Sequence, residues 1–429
     1  MNVSTSHRKL IDYFYIGALV LYVLAGLRLV PFHGDESTII YMSHDWFRSP
    51  LAIGYDGQRP GSGEAMDQDL RLLNGVISKD SFGLAYSVLG IGPDQLNTPW
   101  DWSSDWWVNN YYGHIPGVKV LWIARLMSTL MTALSVAVVF TIARWLADRP
   151  SAWLAAFVYT MMPLVLLNGR RAMFEGATLL TTTLIILLGL WVARQKPSLF
   201  RWGIFGLISG LGIASKHTSV LIVLPVWAVA ASTQRRSFQR ALLGSLCAGV
   251  IMASVFLILN PAWWSAPLRM PGIVLSLRQD LLSRQASVYQ GQTVTDRVTA
   301  LVRYPFGPPQ YFEDPKYDWT QWIGSDIAAY EASWTGGLWG SIMLPLESLL
   351  VVVGMAFCVW RSWSCRDSRM ILFLTLTMFI TVSVFALTSV PWGRYYLPLA
   401  PPFAIASGLS VRWLAERPSK PGLLRSPTI

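Results

Sequence analysis

The sequence predicts an all-α, polytopic membrane protein with about ten transmembrane helices, and three observations carry that prediction. The 429 residues are 53% apolar and only 14% charged, with a mean hydropathy of +0.41 and 21 tryptophans. That balance leaves too little polar surface for a water-soluble domain of this size. Apolar runs long enough to cross roughly 30 Å of hydrocarbon, at about 1.5 Å per helical residue, recur along almost the whole chain. Basic residues collect between alternate runs, the pattern left when cytoplasmic ends retain Lys and Arg.

The first run, 11–31, is too long for a signal-peptide core and lacks a small-residue cleavage site, so it is expected to stay as an uncleaved first helix. Run 117–147 exceeds what a bilayer needs, and part of it should lie outside. Runs 151–168 and 176–194 follow, separated by Arg170-Arg171 and Glu175. The short run 202–215 and its neighbour 218–233, divided by Lys216-His217, read as a tilted or bent pair. Runs 241–260, 337–360, 370–389 and 395–414 complete the ten. The whole chain, 1–429, is expected to form one transmembrane domain.

Two long segments, 32–116 and 261–336, interrupt the helices. The first contains Gly54-Tyr55-Asp56-Gly57, Pro60-Gly61-Ser62-Gly63 and the Trp/Asp cluster Trp100 to Trp107. The second opens with Asn260-Pro261-Ala262-Trp263-Trp264 and passes through Tyr304-Pro305-Phe306-Gly307-Pro308-Pro309. Loops of this length in a compact protein are functional or disordered. Their aromatic content predicts order, as short helices lying on the membrane surface.

An inside N-terminus with ten crossings leaves both termini in the cytoplasm and both long segments outside. The cytoplasmic pieces then hold Arg8, Lys9, Arg144, Arg149, Arg194, Lys196, Arg201, Arg235, Arg236, Arg240, Arg361, Arg366, Arg369, Arg412, Arg417, Lys420 and Arg425. These are half of the 34 basic residues, accompanied only by Asp12, Asp148, Asp367 and Glu416. The net charge of +10 is therefore a topology signal, and the chain is expected in a plasma or inner membrane. It is not a nucleic-acid signature, because no basic stripe collects on one soluble face. Cys247, Cys358 and Cys365 supply neither a disulfide framework nor a metal pattern.

Under this topology charged residues from five connections converge on the outer surface: Asp35-Glu36, His114, Arg170-Arg171 with Glu175, Lys216-His217 and Arg394-Tyr395. Each has a plainer structural reading. Asp35 and Glu36 suit the first turn of a loop helix beginning at Ser37, and Glu175 suits an ion pair with Arg171 four residues earlier. Lys216 suits snorkelling, Arg394 with Tyr395 and Tyr396 an interfacial belt, and His114 a structural hydrogen bond. Most tryptophans are expected to be belt or packing; Trp106, Trp107, Trp263 and Trp264 are the ones to test for sugar or lipid contact.

Taken in order, Asp35-Glu36, His114-Ile115-Pro116, Arg171-Ala172-Met173-Phe174-Glu175, the run Gly206 to Lys216, and Arg394-Tyr395-Tyr396-Leu397-Pro398-Leu399-Ala400-Pro401-Pro402 resemble the GT-C glycosyltransferases. The branch is similar to that of protein O-mannosyltransferases and lipid A aminoarabinose transferases. His114-Ile115-Pro116 stands where that family often has His-Pro-Pro, and Glu175 where it often has Asp. The resemblance implies transfer of a sugar from a polyprenyl- or dolichyl-phosphate donor, on the non-cytoplasmic face, with inversion. It makes Asp35 and Glu36 the catalytic pair, Asp35 as base, and Glu175, Arg170, Arg171, Lys216, Arg394, Tyr395 and His114 the substrate-binding residues.

Glu36 cannot point where Asp35 points on one helix, since neighbours diverge by about 100°. Glu36 is therefore expected to orient a cation, the acceptor or a helix end. No cofactor is demanded. A divalent cation held by Asp35, Glu36 and Glu175 is allowed by their oxygen chemistry. The bilayer and a lipid-phosphate sugar are the expected partners, and the acceptor, protein, lipid or glycan, is not written in the sequence. The rival reading is a transporter or flippase of a lipid-linked or anionic substrate; it requires polar residues at the midplane, where these spans are apolar.

Overall fold

The computed structural model describes residues 5–56, 66–234, 238–288, 293–313, 319–388 and 390–416, and every regular element among them is an α- or 3-10 helix. The Pro60 to Gly63 run, Arg235, Arg236 and the basic residues after Glu416 lie outside them. Helices stand at all ten expected positions: Thr5–Ala25, Val118–Leu146, Arg149–Met161 with Pro163–Arg170, Glu175–Arg194, Leu199–Ser215, Val220–Thr233, Phe238–Leu259, Met343–Ser364, Ser368–Leu387 and Ala400–Glu416.

Fewer than ten of the described helices cross a membrane by length and apolarity alone. Five do so singly, and a sixth if the bent pair Arg149–Met161 and Pro163–Arg170 counts as one span. Thr5–Ala25 begins with the charges of Arg8, Lys9 and Asp12. Leu199–Ser215 and Ala400–Glu416 have 17 residues and Val220–Thr233 has 14, so each extends about 26 Å or less. Each of these shorter helices packs against a longer one: Leu199–Ser215 on Phe238–Leu259, Val220–Thr233 on Glu175–Arg194, and Ala400–Glu416 on Met343–Ser364, with Arg149–Met161 on its other side.

Two interruptions position the site. Pro163 cannot continue the preceding helix, because it has no N–H to donate and disfavours helical backbone at Met162, which is extended at ψ 120°. The chain bends by 58° there, and the Met161 carbonyl accepts from Leu338 N–H at 2.9 Å instead. Gly337 makes that approach with φ +91°, and a Cβ on it would stand 2.5 Å from the same carbonyl oxygen. The bend turns Arg170 and Arg171 inward, both essentially buried.

The second interruption is at Lys216, extended at φ −162° between Leu199–Ser215 and the 3-10 turn His217–Ser219. The freed end of the helix receives the first long segment: Val76 N–H donates to Ala214 O at 2.7 Å. As expected, both long segments carry short helices, Gly34–Met42, Met66–Leu73, Ile77–Val88 and Trp106–Tyr111 in the first, and Met270–Val288, Val294–Phe306 and Thr320–Ala332 in the second. They meet in one aromatic cluster, where Phe32 and Trp100 are buried against Trp319 and Ile323. A substitution tests this docking. A Cβ at Gly75 would fall 2.0 Å from the Ser215 carbonyl oxygen, so Gly75→Ala is expected to lower stability by about 1–3 kcal/mol through overpacking, read as an earlier thermal transition in detergent.

Candidate active site

The site begins at the cap of helix Gly34–Met42. His33 is the N-cap residue, its Nδ1 accepting from Asp35 N–H at 3.1 Å, while Glu36 Oε2 accepts from His33 N–H at 3.0 Å. This is a reciprocal capping box, with a histidine where Ser or Thr usually stands. The helix thus starts three residues before the expected Ser37. Because Nδ1 is an acceptor, the neutral imidazole carries its hydrogen on Nε2, which donates to Glu313 Oε2 at 2.7 Å.

Asp35 and Glu36 point apart, as neighbours on one helix must. The Glu36 side chain is wholly buried, whereas that of Asp35 is 25% exposed. Glu36 accepts from Arg125 Nε at 2.7 Å and Nη2 at 2.8 Å and from Ala172 N–H at 2.8 Å, besides the cap. Burial works against its charge, but Arg125 outweighs that and holds the carboxyl below its ordinary range. Glu36 therefore orients a cation and a helix end. Its oxygens have no capacity left for substrate.

Asp35 faces Arg394, whose Nη1 donates to Oδ2. Burial raises the Asp35 carboxyl, and Arg394 more than reverses this, so it stays ionised below the usual carboxylate range. Arg394 lies in the 3-10 turn Gly393–Leu399 that opens the last helix, over the Trp392 ring at 4.9 Å. Its Nε is 3.6 Å from Glu313 Oε1. Burial likewise opposes the charge of Glu313, while Arg394 and then His33 pull it down to about 2.

Lys216 Nζ donates to Glu175 Oε1 at 2.7 Å and stands 5.7 Å over the Tyr395 ring. The expected pair of Glu175 with Arg171 does not form. Arg171 instead donates from Nε to Pro31 O at 3.1 Å and from Nη2 to Tyr311 O at 2.6 Å, tying the two long segments together. Arg170 donates to the carbonyls of Val23, Tyr22 and Thr335. Neither offers a free guanidinium to a ligand, because a buried carbonyl left without its donor is costly. His114 Nδ1 lies 2.7 Å from Thr98 Oγ1, and its carbonyl accepts from Ser37 and Asn97. This is the structural role its plainer reading gives.

The structure thus gathers Asp35, Arg394, Lys216, Glu175 and Tyr395, and leaves Glu36, Arg170, Arg171 and His114 as supports. It adds residues that the sequence reading missed. Arg125 carried a signal: a lone Arg inside an apolar run requires a buried partner. His33 and Glu313 carried none, since a loop has no period to set their direction. Arg278, on Met270–Val288, is anchored to Leu73 O at 2.7 Å and lies close enough to Tyr395 and His217 to act on their charge. His217 packs against Phe256 and Trp263, and burial pushes it down to about 4.

Of the tryptophans singled out, Trp106 stacks on Trp322 inside the aromatic cluster and Trp263 packs on Phe256. Trp107 and Trp264 are exposed. The three acids offered for a metal do not fit one: Glu36 is saturated by Arg125 and Glu175 is held by Lys216. Among the described residues no group of three or more His, Cys, Asp or Glu side chains is arranged to bind an ion.

Comparison with solved structures matches the fold over nearly the whole chain. ArnT from Cupriavidus metallidurans bound to undecaprenyl phosphate superimposes with a TM-score of 0.53, covering 94% of this chain and 60% of that one at 12% identity. The apo oligosaccharyltransferase of Archaeoglobus fulgidus gives 0.53, covering 93% and 50% at 11% identity. The chain shares the fold of these two structures. Residues 107–264 also match the family of dolichyl-phosphate-mannose-protein mannosyltransferases. The chain spans 60% or less of the length of those solved relatives. No protein of curated function matches the sequence.

The division between Asp35 and Glu36 has a measurable consequence. Glu36→Gln strands the buried Arg125 charge and is expected to cost about 3–5 kcal/mol, whereas Asp35→Asn, at a partly open position, should leave the thermal transition within a few degrees of wild type. Equal transitions for the two variants would contradict the assignment.

Proposed function

We propose that this chain is a membrane glycosyltransferase that moves a sugar from a polyprenyl- or dolichyl-phosphate donor to a hydroxyl acceptor on the non-cytoplasmic face, with inversion at the anomeric carbon. The observation that carries the reading is the division of the acidic pair. Glu36 is consumed by structural bonds, while Asp35 is left at the open side of a cationic cluster built from Arg394 and Lys216. The GT-C fold and the partial match to dolichyl-phosphate-mannose-dependent transferases support the same donor class.

In this mechanism Asp35 accepts the proton of the acceptor hydroxyl as its oxygen attacks the anomeric carbon. The bond from that carbon to the phosphate oxygen breaks, and its electron pair stays on the lipid phosphate. The phosphodiester monoanion thereby becomes a monoester with additional charge. Arg394 and Lys216 bind that developing charge more strongly than the starting one, which lowers the barrier. Glu175 orients Lys216, and Tyr395 lies beneath its ammonium group. Arg170 and Arg171, engaged on carbonyls, stand outside the reaction. The transporter reading gains no support: the charges gather at helix ends, and the fold likeness is to glycosyltransferases.

Asp35→Asn is expected to abolish transfer while the protein stays folded and still binds undecaprenyl phosphate; near-wild-type turnover would sink the assignment of the base. The pH profile follows from the lowered Asp35 carboxyl. In the donor-free enzyme a base with a depressed proton affinity remains ionised into mild acid, so kcat/KM for the donor, which reports the free enzyme, should hold as pH falls through 4 to 5 and decline only below the usual carboxylate range. In Arg394→Ala the acid limb should move to higher pH. A limb that stays in place would separate Arg394 from Asp35.

A further inference from the structure

We propose that Glu313 is a positioning residue that offers Arg394 a second carboxylate, so that Asp35 is released to act as base only when the donor phosphate binds. The proposal rests on the roles given to Asp35 and Arg394 above and adds an order to them. As the structure stands, the Arg394 guanidinium is committed to Asp35 through Nη1. A base hydrogen-bonded to a cation has its lone pairs occupied and its proton affinity suppressed, so in this arrangement Asp35 is masked. The same guanidinium aims Nε at Glu313 Oε1 across 3.6 Å, too long for a hydrogen bond, and this buried Nε has no hydrogen-bond partner. One bond is made and an equivalent one is poised.

The surroundings determine which group moves. Glu313 is fixed through its other oxygen by His33 Nε2 at 2.7 Å. His33 is fixed in turn by the cap of helix Gly34–Met42, which also holds the Asp35 backbone. The Glu313 carboxylate and the backbone that carries Asp35 are therefore both held by one imidazole. The long Arg394 side chain is the mobile member between them.

A donor phosphodiester brings a negative charge to Arg394 and Lys216. Drawing the Nη nitrogens toward phosphate shifts the guanidinium off Asp35, and closing the Nε gap to Glu313 supplies the bond that replaces the one lost. The groups that act on Asp35 are Arg394 and Tyr395 from the Gly393–Leu399 turn, His33 from its own cap and Glu313 from the second long segment. Only Arg394 among them holds its carboxylate by a direct bond. Donor binding thus precedes acceptor activation, and the phosphate itself is the signal.

The test uses the full-length protein in detergent with undecaprenyl phosphate as the probe, and reads Asp35 by carbodiimide labelling and mass spectrometry. Undecaprenyl phosphate is expected to raise Asp35 labelling about tenfold, equivalent to about one unit of proton affinity. Glu313→Gln keeps an oxygen for His33 but removes the charge that receives Arg394, so the rise should be lost. Glu313→Asp should restore part of it. Undecaprenyl phosphate that binds, by tryptophan fluorescence, without increasing the labelling overturns the proposal while leaving the donor reading intact. A wild-type rise in Glu313→Gln overturns it as well. Failure of undecaprenyl phosphate to bind overturns the donor reading and this proposal together.

Discussion

The arrangement depends on the buried ion pair between Glu36 and Arg125. Arg125 lies well inside helix Val118–Leu146, where an unpaired guanidinium would be strongly unfavourable, and Glu36 is the carboxylate that meets it. The pair is bidentate, and Glu36 also takes the amides of His33 and Ala172. One carboxylate therefore joins the first long segment, the second of the long apolar helices and the turn that follows the Pro163 bend. Every other member of the cluster is positioned relative to that junction. Asp35 faces the open side because the preceding constraint fixes the rotation of its helix.

Around this junction the buried arginines are spent on structure. Arg170 and Arg171 satisfy carbonyls left open in the last turn of helix Thr5–Ala25, at Tyr22 and Val23, and in irregular backbone at Pro31, Tyr311 and Thr335. Such carbonyls need donors where water is excluded. The cations assigned to chemistry in the proposed reaction, Arg394 and Lys216, are those held by carboxylates, Arg394 beside Asp35 and Glu313 and Lys216 by Glu175. An ion pair can be exchanged for another anion, whereas a carbonyl network can only be broken. That difference separates the two kinds of basic residue more sharply than their exposure does.

The helices and the polar residues at their ends were legible because apolar runs in lipid permit little except a helix. Lys216-His217 marked one interruption and the divergence of Asp35 from Glu36 followed from helical geometry, whereas the bend at Pro163 fell inside the single run expected over 151–168. The number of crossings was less legible. Leu199–Ser215, Val220–Thr233 and Ala400–Glu416 are apolar but short, and composition does not say whether a short helix spans or leans on a longer neighbour. Glu313 and Arg278 were invisible for a different reason: residues in irregular or surface segments have no periodic signal that aims them at a partner hundreds of residues away.

The sequence alone determined an all-helical membrane protein with charged groups clustered at helix ends, because hydrophobicity, helix period and the cost of charge in lipid are local properties. Only the tertiary structure decided which carboxylate each cation meets. Arg125 took Glu36, Lys216 took Glu175 in place of the expected Arg171, and Arg394 came to lie between Asp35 and Glu313. Those choices depend on the Pro163 bend, the His33 cap and the docking of two long segments through Gly75 and the tryptophan cluster. The bend and the cap are local, but what they face is set by long-range docking, and no stretch of sequence contains both halves of those contacts.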